Sequence, residues 1–221
     1  MKKMRKIIRI LKENDLGDMG IGAMIIFIAV VLVAGIAASV LIQTANRLEI
    51  QAMTTGQETI REVSSGLQII DIEGANAGGV ITQMVLVIRP HAGSGDIDLS
   101  NAFVEISNGV TKTILVYDNA AFTHIVDDTE PDVFNATDCW TIDAASFGIL
   151  VLQDADVSLS DTNPVINRGD VVMLCVDTDA IFGGLTPRST IMGLVTPEQG
   201  ASATYSFRVP SSLSEVVYDL Y

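Results

Sequence analysis

The residues of this chain that could do chemistry are few: two histidines, two cysteines, three short acidic clusters, one N-x-S/T sequon and several glycines ahead of an apolar run. His91 and His124 stand outside any HExxH pattern, and no serine lies in a GxSxG elbow. Each histidine therefore reads as a strand-edge or loop residue. The stretch "AGSGD", 92–96, sits between strand-like runs and leads into no helix, so it reads as a turn and not as a phosphate-binding loop. No catalytic residue is assigned, and the chain is not expected to be an enzyme. The clusters "VDDTEPD" (126–132), "DAD" (154–156) and "DTD" (177–179) space carboxylates as a loop around Ca²⁺ would, since that hard cation takes about six to eight oxygens. None follows the EF-hand pattern. A solvated acidic surface is the simpler reading, so no metal ligand is assigned and no cofactor is expected beyond structural Ca²⁺ as a minor hypothesis. Cys139 and Cys175 lie 36 positions apart, without zinc-type CxxC spacing or a neighbouring base. Outside the cell they could form one disulfide; buried free thiols are the alternative. "NAT" at 135–137 makes Asn135 the candidate for N-glycosylation.

Charge divides the chain unevenly. Residues 1–17 carry six cations and two acids, a net of +4, whereas residues 18–221 hold seven Lys or Arg against 25 Asp or Glu, a net of −18. So acidic a body excludes a nucleic-acid partner, because binding a phosphate backbone requires clustered cations that displace counterions.

From Ile21 to Ile42 there are 22 consecutive uncharged residues, which as a helix would measure about 33 Å, matching the hydrocarbon thickness of a bilayer. The cations precede this run, so the positive-inside bias keeps the leader in the cytoplasm and sends the chain beyond residue 43 outside. A secretory cleavage within "AGIAAS" (34–39) would cut through one continuous helix, since the apolar run continues into Val40, Leu41 and Ile42. Cleavage ahead of the run, after Gly17 or Gly20, would instead remove the leader and leave the helix as the mature N-terminus. Small residues at Ala29, Ala34, Gly35, Ala37, Ala38 and Ser39 suit close approach of one helix to another. An ordinary single-pass anchor is the plainer alternative. Helical spacing then persists from Gln43 to Ser65, and "SSG" at 64–66 reads as its end.

"DLG" followed by "DMGIGAMIIFIAVVLVAGIAASVLIQT" resembles the archaellins, the archaeal flagellins, as do "QAMTTGQETIREVSSGLQII" (51–70) and "GSGDIDLS" (93–100). The resemblance is closest over residues 15–70, extends to about 118 and is weak beyond. It implies a class III, prepilin-type signal peptide over 1–17, cut between Gly17 and Asp18 by a prepilin-type signal peptidase. Asp18 departs from the small or neutral residue common in that place, which leaves Gly20–Ile21 as the second bond. It also implies a hydrophobic assembly helix over 18–66, with Ile21, Gly22, Ile25, Phe27, Ala34, Gly35, Ala38 and Leu41 as assembly residues. The partners implied are other archaellin subunits, the archaellum motor and assembly platform, and the membrane as host of the precursor. The resemblance implies an extracellular filament for swimming. Type IV pilins share the leader logic but carry Glu where this chain would place Gly22, so a pilin-like adhesin is the second reading. A membrane-anchored Ca²⁺-dependent binding module that never polymerises is the third.

Beyond residue 67 the pattern changes to short apolar or alternating runs bounded by Gly, Pro, Asn and Asp. Strands are expected at 80–89, 102–107, 112–118, 147–153, 170–177, 189–195 and 203–209. The fold class is therefore α+β, a long N-terminal hydrophobic helix followed by an antiparallel, immunoglobulin-like β-sandwich or barrel over 67–221.

Overall fold

The computed structural model describes residues 2–124, 132–135 and 138–221, with backbone alone for 2–19. The chain divides into two units, Met1–Gln57 and Glu58–Tyr221.

Helix α1 runs Lys2–Ser64. No proline precedes Pro90 to interrupt it. Its hydroxyls turn inward on their own backbone: Thr44 Oγ1 donates to the carbonyls of Val40 (3.0 Å) and Leu41 (2.9 Å), and Thr54 Oγ1 to that of Ile50. Such polar groups can enter apolar surroundings with their bonds already made. The helix stops where Ser65 N donates to Arg61 O (2.8 Å) and the chain turns at Gly66. A Cβ on Gly66 would stand 2.8 Å from the His91 ring and 3.0 Å from Ala201 Cβ. Ser94 Oγ both accepts from Gly66 N (3.1 Å) and donates to Gly66 O (3.3 Å), so the "AGSGD" segment serves as the turn that clasps this corner.

The second unit holds β1 (Leu67–Ala77), β2 (Val80–Pro90), β3 (Ile97–Asp98), β4 (Phe103–Ser107), β5 (Lys112–His124), β6 (Ser146–Gln153), β7 (Val165–Ile166), β8 (Val171–Asp177), helix α2 (Thr178–Phe182), β9 (Thr190–Thr196), β10 (Ala203–Arg208) and β11 (Val217–Asp219). All seven expected strands are present. Nine strands form one sheet in the order β10-β9-β4-β5-β6-β8-β2-β1-β11, antiparallel throughout except for β5 with β6. The sheet curls until the start of β1 returns to the approach to β10, where Gly66 bridges Ala201 and Leu67 N donates to Ala201 O (3.2 Å). The expected antiparallel β-domain is thus present as a curled nine-stranded sheet, with β3 and β7 pairing as a second, two-stranded one.

Its interior is filled by side chains such as Ile72, Ile81, Met84, Leu86, Ile88 and Phe147, all fully buried. Tyr205 crosses over Gly193, where a Cβ would fall 2.2 Å from the ring, and its hydroxyl donates to Glu105 O (3.2 Å). A second, smaller core lies apart from the first: Val85, Val87, Leu150, Met173, Cys139 and Cys175, with Val133, Phe134 and Trp140 packed against them. β6 and β8 are therefore buried on both faces and read as continuous apolar runs, whereas β10 is buried at every second residue.

Candidate assembly surface

Between Ile21 and Ile42 fourteen large apolar side chains are 52–68 % exposed. Burying each would contribute roughly 1.5–3 kcal/mol, so the uncovered run represents, as an order of magnitude, tens of kcal/mol. Water cannot be its working surroundings. Because the run is apolar around its whole circumference, no single face is marked for a core, which is the pattern of a helix enclosed on all sides.

The surface has relief. Phe27, Val31, Gly35 and Ser39 form one i, i+4 row that falls from large to small, and Ile28, Leu32 and Ile36 form the row beside it. The groove between them is the kind into which the ridge of a second helix packs. Ala34 and Ala38 adjoin Gly35 and Ser39, giving a patch of four small residues, all exposed. Ile21, Ile25, Phe27 and Leu41 are exposed around it, and Gly22 is partly covered. Among the described residues nothing lies within 4 Å of a Cβ built at Gly20, Gly22, Gly35 or Gly56. A helical glycine costs about 1 kcal/mol relative to alanine, and no contact among the described residues explains these four. Gly17, Asp18, Gly20 and Ile21 all lie within the helical backbone of α1.

Asp177 of "DTD" caps α2, its Oδ1 accepting from Asp179 N (2.9 Å) and Ala180 N (3.0 Å), while the buried Thr178 hydroxyl donates to Ile81 O (2.8 Å). Helix capping accounts for that cluster. The run 126–132 lies outside the described residues except for Asp132, whose Oδ1 accepts from Phe134 N (3.2 Å). "DAD" does gather acids: one oxygen from each of Asp154, Asp156 and Asp170 falls within a 4.8 Å group. Asp170, which was not among the candidates, is buried, and its oxygens accept from Ala155 N (3.0 Å) and Asn167 N (2.8 Å). Asp154 accepts from Asp156 N, Ser158 N and Leu159 N. Hydrogen bonds from Ser158 and then Asn167 hold the Asp156 carboxyl below its ordinary range. Asp154 Oδ1 is filled by two donors, but Asp154 Oδ2 and both oxygens of Asp170 each accept one of these bonds, so the donor set is compatible with a hard cation.

Asn135 ends a short 3₁₀ turn, Val133–Asn135, and is exposed. Ala136 and Thr137 of the sequon lie outside the described residues. Cys139 and Cys175 are both buried and adjacent. His91 packs at the Gly66 corner, and His124 lies edge-on to Phe122 with ring centroids 5.2 Å apart.

A helix whose apolar surface demands neighbours, joined to a β-domain that completes its own core, is the build of a polymer-forming surface subunit. Residues 17–207 match the archaeal-type flagellin family. Flagellin B2 of Methanocaldococcus jannaschii is 41 % identical over 208 residues, covering 94 % of each chain. The crystal structure of the archaeal flagellin FlaB1 from the same organism superposes with a TM-score of 0.65 at 35 % identity, over 71 % of this chain and 96 % of that one. A chain of the archaeal flagellum of Methanospirillum hungatei shares the fold over 91 % of this chain and 98 % of its own, with a TM-score of 0.62 at 16 % identity. The chain belongs to the archaeal-type flagellin family and is a structural subunit of the archaellum.

Proposed function

We propose that this subunit is made as a membrane precursor with its basic leader in the cytoplasm, cut ahead of its apolar helix by a prepilin-type peptidase, and polymerised by packing that helix against those of other archaellin subunits. The observation that carries the reading is the fully uncovered apolar surface of Ile21–Ile42 beside a β-domain whose core is closed. Lipid covers the run in the precursor and neighbouring helices cover it in the filament. Every backbone group of the helix stays paired in both settings, so transfer needs no unfolding. The match to the family model begins at residue 17, beside the proposed Gly17–Asp18 bond. The archaellum filament is extracellular, and the acidic β-domains would form its outer layer. The subunit does no catalysis in this reading, and torque comes from the motor at the base.

A charge in the helix tests the proposal. Ala34→Glu should abolish filaments seen by electron microscopy while the β-domain melts unchanged, because an unpaired carboxylate buried between helices costs on the order of several kcal/mol. Normal filaments from that variant would contradict the helix-core role. Sequencing the mature N-terminus separately decides the bond: a chain starting at Asp18 fits, one starting at Ile21 moves the site to Gly20, and one starting near Ala38 rejects the processing scheme.

The geometry of Asp154, Asp156 and Asp170 favours one addition, a structural Ca²⁺ on that loop. Carboxylate oxygens gathered this closely are ligands that such a hard cation takes. Chelator should then lower the melting temperature of the purified subunit, and Ca²⁺ should restore it. An unchanged melt in excess chelator would reject the ion.

A further inference from the structure

The geometry points to a Cys139–Cys175 disulfide in the exported protein, pinning the segment that carries Asn135 onto the sheet. Cys175 lies on β8, in register with Val85 on one side and Gly148 on the other. Gly148 has no side chain on that face because Cys139 occupies the space: a Cβ there would fall 2.1 Å from Cys139 O and 2.9 Å from Ala121 O. The missing side chain opposite Cys175 is what lets the loop bring its own cysteine down. The two cysteines, both present as thiols in this structure, are buried in one apolar cluster with Val85, Val87, Leu150 and Met173. Trp140 secures the same loop, donating from Nε1 to Val133 O (3.0 Å) and stacking on Phe134 with centroids 6.1 Å apart.

The chemistry is thiol–disulfide exchange with an external disulfide, borne by an exported oxidoreductase or a small molecule. One cysteine thiolate attacks that disulfide, forming a mixed disulfide and expelling a thiolate. The second cysteine thiolate then attacks the mixed bond, closing Cys139 to Cys175 and expelling the other thiolate. The two cysteine protons end on the two leaving thiols, and the two electrons reduce the external disulfide. Timing is set by burial. Desolvation, and then the neighbouring Cys139, push the Cys175 thiol well above its ordinary range. The nucleophilic thiolate is therefore scarce once the loop has closed. Oxidation belongs to the open chain during folding, and the closed loop afterwards shields the bond from reductants.

The test counts thiols in filaments sheared from cells with iodoacetamide present throughout, then denatured in the same reagent. The expected chain takes no adduct, takes two after reduction, and yields a linked peptide joining Cys139 to Cys175. Two adducts without reduction overturn the proposal, as does a cross-link between separate subunits on a non-reducing gel. The inference rests on the reading above only for export of the β-domain. Filaments recovered outside the cell establish export whatever the thiol count, so the two can fail separately.

Discussion

The helix and the β-domain are built from the same apolar residues, yet they stand at opposite ends of one scale. In the domain Ile72, Ile81 and Leu86 are fully buried by the chain's own strands; in the helix Ile21, Ile25 and Leu41 are each more than 60 % exposed. The glycines make the same contrast at atomic scale. Gly74, Gly148 and Gly193 are pressed by neighbours to within 2.1–2.8 Å of where a Cβ would be, whereas a Cβ at Gly20, Gly22, Gly35 or Gly56 would meet nothing within 4 Å among the described residues. A glycine in the domain is explained by this chain. A glycine in the helix has no such neighbour, and under the proposed assembly another copy would supply it. The domain thus closes its own core, whereas the helix leaves its apolar surface to be covered by something else.

Breaking this contrast should be easiest on the domain side. Gly148→Val drives a branched side chain into Cys139 O and Ala121 O, contacts made by backbone that cannot swing aside. Overpacking of this kind costs about 1–3 kcal/mol or more, with the smaller core of Val85, Leu150 and Met173 opened as well. We expect chemical denaturation of the purified subunit to show a loss of about 3 kcal/mol or more, and filaments to fail because the domain fails. A variant as stable as the parent would mean that the loop bearing Cys139 does not need its seat on Gly148.

The helix-side counterpart is Gly35→Leu. In the single chain the new side chain meets open space and improves helix propensity by about 1 kcal/mol. In the filament it fills the notch between Val31 and Ser39, at a cost of about 1–3 kcal/mol per contact repeated at every subunit. The expected result is an unchanged melting curve for the β-domain with filaments that are short or absent and dissociate at lower temperature. Filaments as stable as the parent's would remove the notch from the interface.

The two regions also differ in how much their sequence disclosed. The helix declared itself through a charge-free run and the lack of proline before Pro90, both of which are local properties. The doubly buried strands β6 and β8 were legible as apolar runs for the same reason. β1 was not, because Asp71, Glu73 and Gly74 break its alternation and its register shifts between Ile69 and Asp71. β5 continues past residue 118 through "NAAFTH", where a second shift between Tyr117 and Phe122 hides the period. Of the acidic group, "DAD" was visible as a cluster, but Asp170 joins it only through the turn at Arg168–Gly169, where Asp170 N returns to Asn167 O. The pairing of Cys139 with Cys175 depends on Gly148, a residue in neither's neighbourhood along the chain. Contacts made through a third element leave no periodic signal.

The smallest expected effect probes how completely the domain satisfies itself. Glu73 on β1 stands in register with Asp219 of β11, with Asp71 two residues before it. Partial burial, then Asp71, then Asp219 raise its carboxyl above the ordinary value of 4.5. A raised acid favours the protonated folded state, so its contribution is fully present below the ordinary value and is lost as pH rises through the folded one. At neutral pH the ionised Glu73 is therefore a small liability of the folded domain. Glu73→Gln keeps the shape and removes the charge, so it should stabilise at pH 7, by less than about 1 kcal/mol once solvent screening is allowed for. Melts should show a gain of roughly 1–3 °C at pH 7, shrinking to nothing below about pH 4. A gain that persists undiminished at low pH would assign the effect to packing, and a loss at neutral pH would mean that a cation, not repulsion, governs the edge between β1 and β11.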